Sequence, residues 1–230
     1  MAGFVGPEIP GVTDGLVAYY DAALTYTSGS TTWYDEINGN NGTLTNGPTY
    51  STEGRGSIEF DGTDDYVDAT SFVIPSNITI CAWVKPDATG SYQQIVTSDD
   101  SITPIRNWQF RIESPGIVRA VVFHTSGNNN IQAATTDTLS TGQWVMLTFT
   151  ADGTNLKVYF NGGVEKASSS FPYSILGNGS AGDLLIGARR TPSPTDFING
   201  NVSLAMIYDR GLSSTEILKN YNALKGRFNL

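Results

Sequence analysis

The chain has 230 residues, 39% of them hydrophobic and only 15% charged, which supplies a sizeable core and excludes an intrinsically disordered chain. Its formal net charge of −9 repels phosphate backbones and anionic lipid, so the expected partners include neither nucleic acid nor a membrane; neutral glycans, calcium or a basic protein neighbour remain compatible, as does a charge that only keeps the protein soluble. No apolar run reaches the length of a membrane span, and Met1-Ala2-Gly3-Phe4-Val5 lacks the basic start and apolar stretch of a signal peptide.

Residues 1–14, with Pro7 and Pro10, read as an extended N-terminal arm, and residues 15–230 as one domain. The first strand is expected over 15–20. Ser28–Pro48 reads as a structured loop with a short strand near Thr43-Leu44, punctuated by Asn38-Gly39, Asn41-Gly42 and Asn46-Gly47, pairs that accept left-handed turns. From Ser57 onward β-like runs recur roughly every ten residues. They fall near 57–61, 65–69, 78–85, 92–98, 107–113, 117–123, 130–136, 143–151, 155–161, 164–169, 183–188 and 198–208. Val145, Leu147 and Phe149 alternate with Trp144, Met146 and Thr148, which predicts one dry and one mixed face. Asp152-Gly153 and Asn161-Gly162-Gly163 predict hairpin turns. A single helix closes the chain: Ser213 with Glu216 fits a capping box, Ile217, Tyr221 and Leu224 share a face, and Gly226 is the expected stop.

Three groups of residues carry possible chemistry. Asp61, Asp64 and Asp65 place three carboxylates within five residues around Gly62, a set that can converge on a hard cation such as calcium; the alternative is a turn in which the carboxylates bind backbone amides. Trp33, Tyr34, Tyr66 and Trp108 lie, with other aromatics, in or beside polar segments. They are candidate carbohydrate-binding residues, because a sugar needs a flat apolar face and nearby polar groups; the alternative is that they pack over the core. Trp83 and Trp144 read as core. Cys81, the lone cysteine, sits in an apolar run as an inert buried thiol, permits no internal disulfide, and points to a bacterial or viral cytoplasmic origin. His124 is the only histidine and no Gly-x-Ser-x-Gly elbow exists, so no catalytic residue is assigned.

The order of the motifs Ser57–Val67, Gly142–Gly153, Leu156–Gly163, Leu184–Ala188, Phe197–Ser203 and Met206–Ser213 resembles the laminin-G-like, concanavalin A-like family. That resemblance implies an all-β jelly-roll β-sandwich with one short C-terminal helix. It also implies calcium near the acidic turn in some branches. The glucanase branch carries Glu-x-Asp-x-Glu or Glu-x-Asp-x-x-Glu on one strand; here Glu59 and Asp61 are followed by Thr63 and Asp64, so the third acid is missing and no enzyme is expected. Gly15–Ala22, Thr32–Asp35, Asn40–Pro48 and Glu216–Phe228 are similar to domains in virion proteins of marine and cyanobacterial tailed bacteriophages. The function this implies is a non-catalytic structural virion protein, a capsid decoration or cement subunit or a head- or tail-surface component. It would be made in the host cytoplasm, reside on the virion surface, and bind other capsid or tail proteins and its own copies through the arm and the tail Lys225–Leu230. The alternative is a lectin-like adhesion module recognising host polysaccharide, with calcium as its one candidate cofactor.

Overall fold

The computed structural model describes residues 9–25, 29–99, 106–124, 129–177, 179–190 and 193–230; residues 1–8 of the expected arm and Ser28 of the expected loop lie outside these. The chain opens with β1 (Leu16–Asp21), α1 (Ala22–Thr25), β2 (Thr32–Trp33), β3 (Gly42–Thr45) and β4 (Thr49–Ser51). Then come β5 (Ser57–Asp61), β6 (Tyr66–Val73), β7 (Ile78–Pro86), β8 (Gln93–Asp99), β9 (Arg106–Glu113) and β10 (Ile117–Phe123). The last strands are β11 (Asn130–Thr138), β12 (Val145–Ala151), β13 (Asn155–Phe160), β14 (Val164–Ser170), β15 (Ala181–Ile186) and β16 (Asn199–Tyr208), followed by α2 (Ser214–Leu224). Strands run within a few residues of the predicted runs. The short β2 and β4 carry too few residues to show a period, and the sequence pattern did not resolve them.

The strands form two antiparallel sheets. The first has the order β14-β13-β12-β7-β16-β5-β4, and β1 also pairs with β16. β5 occupies Asn199–Val202 of β16 and β1 occupies Leu204–Tyr208, so two strands share one edge position. The second has the order β11-β10-β9-β8-β15-β6-β3-β2. This is a concanavalin A-like sandwich. Its main core lies between the sheets and is filled by alternate residues such as Ile58 and Phe60 of β5, Phe110 of β9 and Leu147 and Phe149 of β12.

A second apolar cluster lies on the outer face of the first sheet. There α2, residues 9–12 and the chain end cover Cys81, Trp83 and Met146, so β12 has two dry faces rather than one dry and one mixed. β7 is buried along nearly its whole length for the same reason. Residues 9–12 are built in: Val12 N donates to Asn220 Oδ1 at 2.8 Å and Tyr208 Oη donates to the Val12 carbonyl at 2.9 Å. Gly11 takes φ +100°, and a Cβ there would fall 2.4 Å from Asn220 Oδ1. Two residues of the tail are likewise packed in. Phe228 stacks on Trp83 with ring centroids 4.0 Å apart, and Arg227 pairs with the buried Asp21 at 2.7 Å.

The capping box of α2 is present, with Ser213 and Glu216 each accepting from the other's backbone N–H. Gly226 does not end the helix. It lacks a left-handed φ, and the chain continues as a 3-10 turn over Lys225–Arg227. Cys81 is fully buried, which pushes its thiol up to about 11. Among the described residues no helix is long and apolar enough to cross a membrane.

Candidate functional site

The predicted site residues separate. Trp33 and Trp108 are fully buried and belong to the inter-sheet core: Trp33 meets Tyr20 edge-on at 5.8 Å and Trp108 meets Phe72 edge-on at 6.2 Å. Neither ring has a face to offer a sugar, which corrects their assignment as carbohydrate-binding residues. Inward residues of β9 and β2 alternate with polar ones, and that alternation decides their fate over the polarity of the neighbouring sequence. Tyr34 is exposed, in the loop joining β2 to β3. Tyr66 is half-buried at the start of β6. Thr45 of β3 pairs with Tyr66, so the β2–β3 loop, at the other end of β3, lies at the opposite end of the sandwich from Tyr66.

The acidic turn between β5 and β6 gathers what the sequence proposed. Asp61, Asp64 and Asp65 each bring a carboxylate oxygen into a set lying within 4.8 Å of one another. Two ligands on opposite sides of a calcium ion, each at about 2.4 Å, are about 4.8 Å apart, so one ion can reach all three. Local hydrogen bonds shape the turn. Asp61 Oδ1 accepts from Thr63 N at 2.7 Å, and Asp65 Oδ2 accepts from Asp61 N at 3.0 Å. Gly62 takes φ +76° against Asn199, whose Cβ a side chain at this position would meet at 2.7 Å. From the neighbouring turn, Asn46 Nδ2 donates to the Asp64 carbonyl at 2.9 Å.

The electrostatics favour a cation. Among the described residues no lysine or arginine pairs with any of the three carboxylates. Burial raises the Asp65 carboxyl above its ordinary value; the bond from Asp61 N opposes this, and the charges of Asp61 and Asp64 add to it. A hard cation relieves that repulsion. Beside the turn, Tyr66 and Phe197 form a tilted pair with centroids 6.5 Å apart, both half-buried. Phe197 and Asn199 were in a recognised motif but not among the candidate site residues. Only the fold brings the loop before β16 against the β5–β6 turn, through the pairing of Asn199 with Asp61.

Two other carboxylates are engaged elsewhere. On the outer face of the second sheet, Arg106 holds the buried Asp99 at 2.7 and 3.0 Å. Glu113, which burial alone would raise, is held below the ordinary carboxylate range by hydrogen bonds from Arg119 and Arg111. Glu59 and Asp61 are both exposed on β5, pointing away from the core. His124 is buried and stacks on Tyr173 at 4.0 Å.

Two stacked antiparallel sheets in this order, with a short C-terminal helix, define a lectin- and glucanase-type sandwich. Residues 61–218 match the laminin-G family model described as the concanavalin A-like lectin/glucanases superfamily, and the chain belongs to that family. Similar solved structures include domain 4 of AbnA, an extracellular arabinanase of Geobacillus stearothermophilus, in complex with arabinotriose. It has a TM-score of 0.69 and 19% identity, over 90% of this chain and 98% of that one. The binding domain of botulinum neurotoxin serotype G matches with a TM-score of 0.66 and 13% identity, over 90% of this chain and 50% of that one. The binding domain of botulinum neurotoxin DC in complex with SialylT matches with a TM-score of 0.66 and 13% identity, over 92% of this chain and 52% of that one. This chain thus spans about half of each toxin binding domain. At these identities the likeness is one of fold. No curated protein matches the chain in sequence.

Proposed function

We propose that this chain is a non-catalytic glycan-binding domain whose acidic turn holds a calcium ion beside an aromatic pair. The observation that carries it is the convergence of Asp61, Asp64 and Asp65 within 4.8 Å, without a basic partner among the described residues, next to Tyr66 and Phe197. A bound calcium ion would supply a hard positive charge for sugar hydroxyl oxygens. The chain's own groups do the rest: Tyr66 offers an apolar face, and Asn46 fixes the turn through the Asp64 carbonyl. The structural relatives solved with arabinotriose and with SialylT support a sugar as ligand, and their being mostly binding domains supports the absence of catalysis.

The test is thermal unfolding with and without calcium, followed by glycan-array binding. Calcium at a hundredfold excess over its Kd stabilises the fold by about 2.7 kcal/mol. The melting temperature therefore rises with calcium and falls on chelation in the native protein, and neither moves Asp64→Ala. Glycan binding then requires calcium and weakens in Tyr66→Ala. A melting temperature indifferent to both calcium and chelator overturns the metal site, and a blank array overturns the glycan reading.

A second reading is a virion-surface subunit bound to capsid or tail proteins and to its own copies. It rests on the likeness of Gly15–Ala22 and Glu216–Phe228 to phage virion domains, two stretches that meet in this fold through Arg227 and Asp21. Arg227 and Phe228 of the tail are engaged in that packing, so attachment through the tail would fall to its exposed residues or to other surfaces. Micrographs of the native assembly test it: density for the chain on a capsid or tail supports it, and a free monomer overturns it.

A further inference from the structure

A cavity of about 430 Å3 opens at the end of the sandwich away from the acidic turn. Its apolar lining is Val17 of β1 with Phe72, Val73 and Pro75 at the end of β6, and its polar lining is Asn38, Asn40 and Asp209. The volume lies in the range of small-molecule sites. Two features set it apart from an ordinary surface crease.

The first is its chemistry. Val73 is 65% exposed, a large apolar side chain left facing solvent at the cavity. The amide nitrogen of Asn38 donates to the Val17 carbonyl at 2.9 Å and that of Asn40 to Asp35 Oδ2 at 3.2 Å, while their side-chain oxygens accept from no described residue. Among the described residues the Asp209 carboxylate has no basic partner, and the adjacent Arg210 is committed to Asp14 at 3.0 Å and to Glu216 at 2.7 Å. The rim is therefore rich in acceptors and negative, over an apolar floor. Such a rim rejects carboxylates and phosphates and suits a ligand with several hydroxyl donors and one apolar face.

The second is rigidity. The Asp35 carboxylate, itself buried, accepts five hydrogen bonds: from Tyr19 N, Ile37 N, Asn38 N, Asn40 N and Asn40 Nδ2. Its own N–H donates to Asn41 Oδ1 at 3.0 Å. Asn38 and Asn40 are thus held in place before any ligand arrives. Asp209 is anchored by its N–H on the Gly15 carbonyl at 2.9 Å. A preformed site loses little ordering entropy on binding.

We propose that this cavity is a second sugar site, taking one neutral ring of an oligosaccharide without calcium. Val73 and Pro75 lie under the apolar face of the ring, and Asp209, Asn38 and Asn40 accept from its hydroxyls. The site shares no residue with the acidic turn, so it stands or falls independently of the calcium-dependent reading.

The test is a 15N amide titration with arabinotriose, xylotriose and cellotriose, each in excess chelator, with choline as a cationic control. The expected result is saturable shifts at Asn38, Val73 and Asp209 with at least one sugar. Asp209→Ala weakens that binding about tenfold, the size of a lost charge-assisted hydrogen bond; Val73→Asp weakens it too, by replacing the apolar floor under the ring with a charge, and both leave the melting temperature unchanged. Both positions border the cavity and neither is part of the core, so one variant serves if the other folds poorly. Shifts confined to residues 61–66, shifts with choline alone, or no shift with any sugar each overturn the proposal.

Discussion

Phe228→Ala decides whether the C-terminal tail is a free attachment segment or part of the fold. Phe228 is 5% exposed, lies 4.0 Å from Trp83 at 15° between ring planes, and touches Trp144 at 4.9 Å. Burying a phenylalanine side chain contributes about 1.5–3 kcal/mol. A stacked aromatic pair adds about 0.5–1.5 kcal/mol. The truncation therefore costs about 3 kcal/mol, at the lower end of the range for phenylalanine-to-alanine changes in cores. In a domain of this size each kcal/mol moves the melting temperature by about 2–4 °C, so calorimetry reads a fall of about 6–12 °C. Deleting the exposed Leu230 is the control and costs within about 0.5 kcal/mol. A Phe228→Ala protein that melts with the native one refutes the packing and returns the tail to the role of a free anchor.

Arg227→Ala leaves the buried Asp21 carboxylate without its cation; urea unfolding at constant m-value then shows a loss of about 3 kcal/mol. Glu216 is held down to about 2 by the hydrogen bond from Arg210 and by the Ser213 N–H, against an ordinary value of 4.5. Its depressed value means that the unfolded chain binds the proton first, so the cap's contribution is complete above about pH 4.5 and is lost as pH falls toward 2. Melting curves across that window show the decline in the native protein and a shallower one in Glu216→Gln. Calcium raises the melting temperature of the native chain and leaves Asp64→Ala unmoved.

The sequence by itself was enough for the sandwich, because period-two alternation and turn chemistry are local. Val145, Leu147 and Phe149 point one way whatever covers them, and Asp152-Gly153 and Asn161-Gly162 turn the chain through conformations that glycine and asparagine tolerate. The capping box of α2 was equally local, its two partners lying three residues apart. The acidic turn was legible for the same reason: three carboxylates within five residues have little choice but to converge.

What covers a face is decided by residues distant in sequence, and there the local pattern failed. Trp33 and Trp108 sit in polar sequence but are sealed between sheets; Trp83 is a core residue as its apolar strand implies, but which core it joins, the one on the outer face closed by Phe228 145 positions further on, was not legible. The arm and tail read as attachment segments because nothing near them in sequence offers a partner; in the fold Asn220 does so for residues 11–12 and Trp83 for Phe228. Phe197 reaches Tyr66, and Asp209 reaches the Asn38 loop, only through strand order. The sequence by itself determined most of the elements, the architecture and the acidic turn, because those rest on backbone preferences and near neighbours, while β2, β4 and α1 were too short to show a pattern. Tertiary structure alone decided which aromatics face solvent and which distant side chains meet, because burial depends on contacts that no local pattern encodes.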